Sequence, residues 1–182
     1  REVVQCELNL EMAATEEMVR IALATRPDMV TLVPEKRQEL TTEGGLDLMG
    51  QKANLKETIK KIKDAGIPVS LFINPHIMDV DISKEIDADM VELHTGLYAN
   101  AKGEKQASEL QRVRESAKVA QKLDLLVNAG HGLNYHNVKG IASIQGVRGL
   151  YIGHSIIARS VLVGIKEAVM EMKGLIAAVK AE

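Results

Sequence analysis

Aromatic residues are nearly missing from this 182-residue chain, which has no Trp, one Phe (Phe72) and three Tyr (Tyr98, Tyr135 and Tyr151), 2% in all. A core without them must be aliphatic and Met-filled, and a stacking platform for bases is argued against. Cysteine is just as scarce. Cys6 alone can form neither an internal disulfide nor a cysteine metal cluster, and it is expected to be a structural thiol rather than a reactive one. Charge of one sign is lacking too: 23 Lys and Arg against 25 Asp and Glu leave a net charge of −2, which offers no basic face to nucleic acid or membrane. Long uncharged apolar runs are absent. Even the pattern from Ile156 to Val179 is interrupted by Arg159, Lys166, Glu167, Glu171 and Lys173, so it is not a membrane span, and no signal-peptide pattern is present. Neither a Pro/Ser-rich linker nor a shift in composition divides residues 1–182, and with 46% hydrophobic residues they read as one cytoplasmic domain with a single core.

What is present is a repeated alternation of short apolar runs and amphipathic helical patterns. Strands are expected at Cys6 to Ala13, Asp28 to Pro34, Pro68 to Asn74, Ala88 to Thr95, Leu125 to Gly130 and Leu150 to Gly153. Helices are expected to begin near Thr15, Leu48, Ile82, Lys105, Tyr135 and Ser155. Such alternation means βαβ units around a parallel sheet. Alternation within strands then chooses the architecture. Glu7, Asn9 and Glu11 fall on one face of the first strand and Leu8, Leu10 and Met12 on the other, and Glu92 shares a face with His94. A doubly wound sheet has helices on both faces and apolar strands throughout, whereas a barrel strand can carry polar residues inward. The expected fold is therefore a (β/α)8 TIM barrel. About six units are visible, so roughly the first two are expected to be missing from this chain.

The candidate site residues lie at strand ends. Glu11 ends an apolar strand, where an unpaired carboxylate is costly, and reads as a catalytic base or a salt-bridge partner. Glu92 sits deeper in its strand and reads as catalytic or as a structural partner of His94. Two Gly-His pairs, Asn128-Ala129-Gly130-His131-Gly132-Leu133 and Tyr151-Ile152-Gly153-His154-Ser155-Ile156, fall where apolar runs give way to helices. Glycine permits close backbone approach, imidazole titrates near neutrality, and the amides opening a helix can hold an anion. His76 and His136 read as ordinary surface or helix-start residues. The segment from Val33 to Gly45 is a long charged loop, with Lys36, Arg37, two Thr and two Gly suited to closing over a phosphorylated substrate.

Taken together, Asn9-Leu10-Glu11-Met12-Ala13, the Val33 to Gly45 loop, Glu92-Leu93-His94-Thr95-Gly96, the Asn128 to Leu133 block with Tyr135-His136-Asn137-Val138, and Ile152-Gly153-His154 resemble the pyridoxine 5'-phosphate synthase family of deoxyxylulose-dependent vitamin B6 synthesis. The likeness runs in order over essentially the whole chain. It implies a (β/α)8 barrel with extra helices, assembly into homo-octamers, and condensation of 1-deoxy-D-xylulose 5-phosphate with 3-amino-2-oxopropyl phosphate to pyridoxine 5'-phosphate, phosphate and water, without metal or organic cofactor. It further implies that Glu11 and His131 are general acid/base residues and that Glu92 stabilises a charged intermediate. Thr41 would contact the deoxyxylulose phosphate, and Gly132, Gly153 and His154 would hold the aminoacetone phosphate. The family's earlier Asn-Ile-Asp-His and His-Leu-Arg-Glu-Asp segments are not found in these 182 residues. Two other readings fit the same residues: another phosphate-binding barrel, such as a metal-dependent aldolase or epimerase with Glu11, Glu92, His131 and His154 as ligands, or a non-catalytic phosphometabolite sensor.

Overall fold

The computed structural model describes residues 3–35 and 44–180. Six parallel strands follow one another in space as they do in sequence, each returning through one or more helices: β1 (Asn9–Met12), α1 (Glu16–Thr25), β2 (Met29–Leu32), α2 (Leu48–Asp64), β3 (Val69–Ile73), α3 (Ile77–Glu85), β4 (Met90–His94), α4 (Gly96–Asn100), α5 (Gly103–Lys122), β5 (Leu126–Gly130), α6 (Val138–Ala142), β6 (Val147–Tyr151), α7 (His154–Val163) and α8 (Ile165–Lys180).

The hydrophobic core is one layer between the sheet and the helices. It takes Met12 from β1, Val30 and Leu32 from β2, Val69, Leu71 and Ile73 from β3, Val91 and Leu93 from β4, and Val127 and Ala129 from β5, packed on helix residues such as Leu55, Ile59, Val80, Val113 and Ile141. Period two sends the alternate residues to the other face, and there Asn9, Glu11, Thr31, Ser70, Glu92, His94 and Asn128 accumulate. That second face is concave. The Tyr151 hydroxyl on β6 reaches the sulfur of Met29 on β2, 3.8 Å away, and Arg148 pairs with Glu7 ahead of β1. Neighbouring strands are hydrogen-bonded from β1 to β6, but β1 and β6 are not paired to each other. The result is a curled, TIM-barrel-like half-barrel with a polar interior.

Local chemistry explains most boundaries. Thr15 caps α1 by accepting from the Met18 amide at 3.3 Å, with Glu16 and Glu17 in the first turn, where the helix dipole favours them. Asp47 caps α2 through the Gly50 amide at 2.9 Å, and Lys61 and Lys63 occupy its last turn. Several expectations need correction. β1 is shorter than Cys6 to Ala13, and Cys6 lies ahead of it as an exposed thiol rather than a structural one. The third helix starts at Ile77, not Ile82, directly after Pro75-His76. The helix expected at Tyr135 starts at Val138, because the Asn134 side chain first binds the amides of His136 and Asn137 in a tight turn. β6 spans Val147–Tyr151 rather than starting at Leu150, since Arg148 is an extra residue at a register shift against β5. The C-terminal helical pattern is two helices, broken at Gly164 with φ 84°.

Candidate active site

The C-terminal ends of the strands open into a cavity of about 890 Å³, lined by residues of β1, β3, β4 and β6, the loop after β5 and the start of α7. Glu11, Glu92, His131, Gly132, Gly153 and His154 all border it. Of the residues singled out from sequence, Thr41 and its loop neighbours Lys36, Arg37 and Thr42 lie outside the described residues.

Glu11 sits near the end of β1, exposed to the cavity. Glu92, two residues before the end of β4, is only 4% exposed. Its carboxylate lies over Gly130 of β5, where any Cβ would collide with Oε1. Gly149 of β6 similarly leaves space for the Asn128 amide, 3.0 Å from where a Cβ would stand. Two glycines on adjacent strands thus let two polar side chains lean across the concave face.

His131 follows β5 with φ 80°, a left-handed conformation unusual for a residue with a side chain. The buried Thr95 hydroxyl lies 2.7 Å from both the Gly130 and His131 carbonyl oxygens and fixes this turn. Gly132, also at positive φ (74°), packs against Ala99. Thr95 was not singled out from sequence, because its partners lie 35 and 36 residues away.

His94 shares the concave face with Glu92, as its spacing implies, but no hydrogen bond joins the two in the structural pair that is the alternative to a catalytic role for Glu92. Among the described residues, neither His94 ring nitrogen has a hydrogen-bond partner. The ring, 1% exposed, instead stands edge-on to Phe72 at 5.2 Å and beside His131 at 5.0 Å. Gly96 makes room for it, since a Cβ there would be 2.7 Å from Nε2. Burial, and secondarily the neighbouring His131, push the His94 imidazole down to about 4, so it is neutral at pH 7.

The second Gly-His pair opens α7. Gly153 precedes the helix with ordinary φ (−108°), and its α-carbon faces open space. Its carbonyl accepts from the Ile157 amide at 3.0 Å, which leaves the first-turn amides of His154, Ser155 and Ile156 without intrahelical acceptors. Ser155 does not cap the helix. Its hydroxyl donates to the Leu133 carbonyl at 2.8 Å and ties the start of α7 to the loop after β5. The cavity therefore joins two carboxylates, two imidazoles and the positive end of a helix dipole, which equips it to move protons around an anionic ligand. Among the described residues, no three His, Cys, Asp or Glu side chains converge in a metal-holding group, and no helix is long and apolar enough to cross a membrane.

Comparison with known proteins yields matches over nearly the full chain. The family profile described as "Pyridoxal phosphate biosynthesis protein PdxJ" matches residues 1–178. A Pyridoxine 5'-phosphate synthase of Thermodesulfovibrio yellowstonii is 68% identical over 97% of this chain and 73% of the relative. Proteins of the same name from Synechococcus sp. (strain CC9605) and Prochlorococcus marinus (strain MIT 9312) are 56% and 55% identical over 97% of the chain, which covers 71% and 74% of their lengths. A solved structure described as "Native KDPGal structure" superposes with a TM-score of 0.63 over 95% of this chain and 71% of that one, at 13% identity, a likeness of fold.

Proposed function

Since this chain belongs to the family of the pyridoxal phosphate biosynthesis protein PdxJ, we propose that it condenses 1-deoxy-D-xylulose 5-phosphate with 3-amino-2-oxopropyl phosphate, giving pyridoxine 5'-phosphate, phosphate and water. It is an enzyme of vitamin B6 biosynthesis. The observation that carries the reaction is the convergence of Glu11, Glu92 and His131 with the amide-rich start of α7 on one cavity. Joining an amine to a ketone, losing phosphate and water and aromatising a ring all need protons taken and returned on both sides of the substrate. Glu11, exposed at the mouth, is suited to proton abstraction. His131, held by Thr95 in a fixed turn, lines the same cavity and serves as the other acid/base group. Glu92 is recessed in the wall, where a fixed carboxylate stabilises positive charge on a bound intermediate.

Anion binding is divided between two places in this reading. The α7 start with Gly132, Gly153 and His154 takes the aminoacetone phosphate, and the Thr41 loop takes the deoxyxylulose phosphate. The six units described are read as part of a single (β/α)8 barrel domain, a reading supported by the curl of the sheet and its one-sided core. Assembly as a homo-octamer in the cytoplasm completes the proposal, and it is supported by an exposed apolar row at Ile157, Val161, Leu162 and Ile165 that a second copy could cover. No metal or organic cofactor enters the scheme.

The test uses protein from the complete reading frame, incubated with both substrates. Stoichiometric phosphate and pyridoxine 5'-phosphate, insensitive to chelator, are expected. Binding without phosphate release would point to a sensor, and chelator-sensitive cleavage of another sugar phosphate to a metal-dependent barrel enzyme.

A further inference from the structure

The chain has three tyrosines, and two have structural duties. The Tyr98 hydroxyl donates to the Asn137 carbonyl at 2.7 Å, and that of Tyr135 to the Ala168 carbonyl at 2.8 Å. Both are full-strength bonds to backbone oxygen. Tyr151 differs. It ends β6 in register with Gly130, lines the cavity with Glu11, Glu92 and His131, and among the described residues its hydroxyl hydrogen-bonds only to the sulfur of Met29, at 3.8 Å. Thioether sulfur is a weak acceptor, so this contact leaves most of the donor strength of the phenol unspent. In a chain with so few aromatics, a phenol on the polar concave face is an unusual choice for packing alone.

We propose that Tyr151 is a further catalytic residue, whose hydroxyl donates a hydrogen bond to the substrate ketone oxygen while the amine adds to the adjacent carbon. This rests on the condensation proposed above. In that step the nitrogen lone pair forms the new C–N bond and the carbonyl π pair moves onto oxygen. The growing oxyanion is held by the Tyr151 O–H, and the proton shed by nitrogen is returned to that oxygen through the acid/base groups of the cavity, so Tyr151 keeps its own proton. The surroundings favour that role: burial first, then the carboxylates of Glu92, Glu7 and Glu11, raise the phenol above its ordinary value, outweighing Arg148. The group is thus a neutral donor throughout the neutral range.

The experiment compares wild type, Tyr151→Phe and Met29→Leu in protein from the complete reading frame, with steady-state kinetics, a titration of each substrate and a thermal midpoint. Tyr151→Phe should keep the midpoint and both affinities within about threefold while kcat falls roughly 10²-fold, the usual scale for one oxyanion donor. Met29→Leu, which removes only the sulfur partner, should leave kcat within about threefold. A Tyr151→Phe enzyme of near wild-type kcat, or an equal loss in both variants, overturns the role of Tyr151. A wild-type enzyme that forms no pyridoxine 5'-phosphate overturns the condensation itself and this role with it. Where Tyr151→Phe fails to fold, 3-fluorotyrosine at the same position keeps the shape and lowers the phenol pKa. The alkaline limb of kcat should then move to lower pH, and an unmoved limb counts against the proposal.

Discussion

His94 should make the fold acid-labile in a window set by its own burial. In the folded chain its imidazole is held down to about 4, while an unfolded histidine titrates near 6.5. Below pH 6.5 the unfolded chain therefore takes up a proton that the folded chain refuses. Stability contributed by this residue is fully present above pH 6.5, declines as the pH falls, and is lost by about pH 4, where both states are protonated. That gap, at about 1.4 kcal/mol per pH unit, amounts to about 3 kcal/mol, a substantial share of the stability of a typical domain. The residue is 1% exposed, so solvent screening does not dilute the effect. Carboxylates titrate in the same range, and a variant is needed to isolate the histidine. His94→Phe keeps a planar ring against Phe72 and His131 but has no titrating group. Urea unfolding at pH 7.0, 6.0, 5.0 and 4.2 should show wild type losing about 3 kcal/mol more than the variant over the series. If the difference between the two proteins stays constant with pH to within about 0.5 kcal/mol, His94 is not the buried neutral ring described, and the reasoning fails.

Three further outcomes are expected. Glu11→Gln in protein from the complete reading frame should fold and bind both substrates while kcat falls roughly 10²- to 10⁴-fold; a loss below about tenfold reassigns Glu11 to a structural pair. Thr95→Val removes the hydroxyl that lies 2.7 Å from two carbonyl oxygens at the His131 turn, so urea titration should show about 1–2 kcal/mol of lost stability, with lowered turnover as His131 loosens. A Cβ at Gly153 stands in open space, with no heavy atom beyond its chain neighbours within 4 Å, so the thermal midpoint of Gly153→Val should hold while calorimetric titration shows weakened binding of the aminoacetone phosphate and unchanged binding of the deoxyxylulose phosphate; equal weakening of both would mean the two phosphate subsites are misassigned.

The strands and their faces were legible because period two is a local property of sequence. Glu11 and Glu92 fall on the concave face for the same reason that Met12 and Leu93 fall in the core, and no long-range contact is needed to know it. Boundaries that depend on one residue competing with another were less legible. Asn134 takes the amides of His136 and Asn137 and delays the next helix to Val138, and the extra residue Arg148 moves β6 off the apolar run that marks it. His94 shows the limit most clearly. Alternation placed it beside Glu92, and a carboxylate next to an imidazole in sequence suggests a pair. In the fold, Gly130 leaves room for the Glu92 carboxylate to lean across to β5, while Gly96 lets the His94 ring settle against Phe72 and His131.

The same consideration applies to His131 itself. Its flanking glycines marked a turn, and glycine is the residue that tolerates positive φ at little cost. The structure puts positive φ on Gly132 and also on the histidine, at 80°, where it carries strain that something must offset. The compensation comes from Thr95 at the end of β4, whose amide and hydroxyl both bind the Gly130 carbonyl and whose hydroxyl also reaches that of His131. That arrangement exists only because β4 and β5 are paired with His94 opposite Gly130. The position of the His131 imidazole is therefore a consequence of strand register, a property of the assembled sheet rather than of either segment alone.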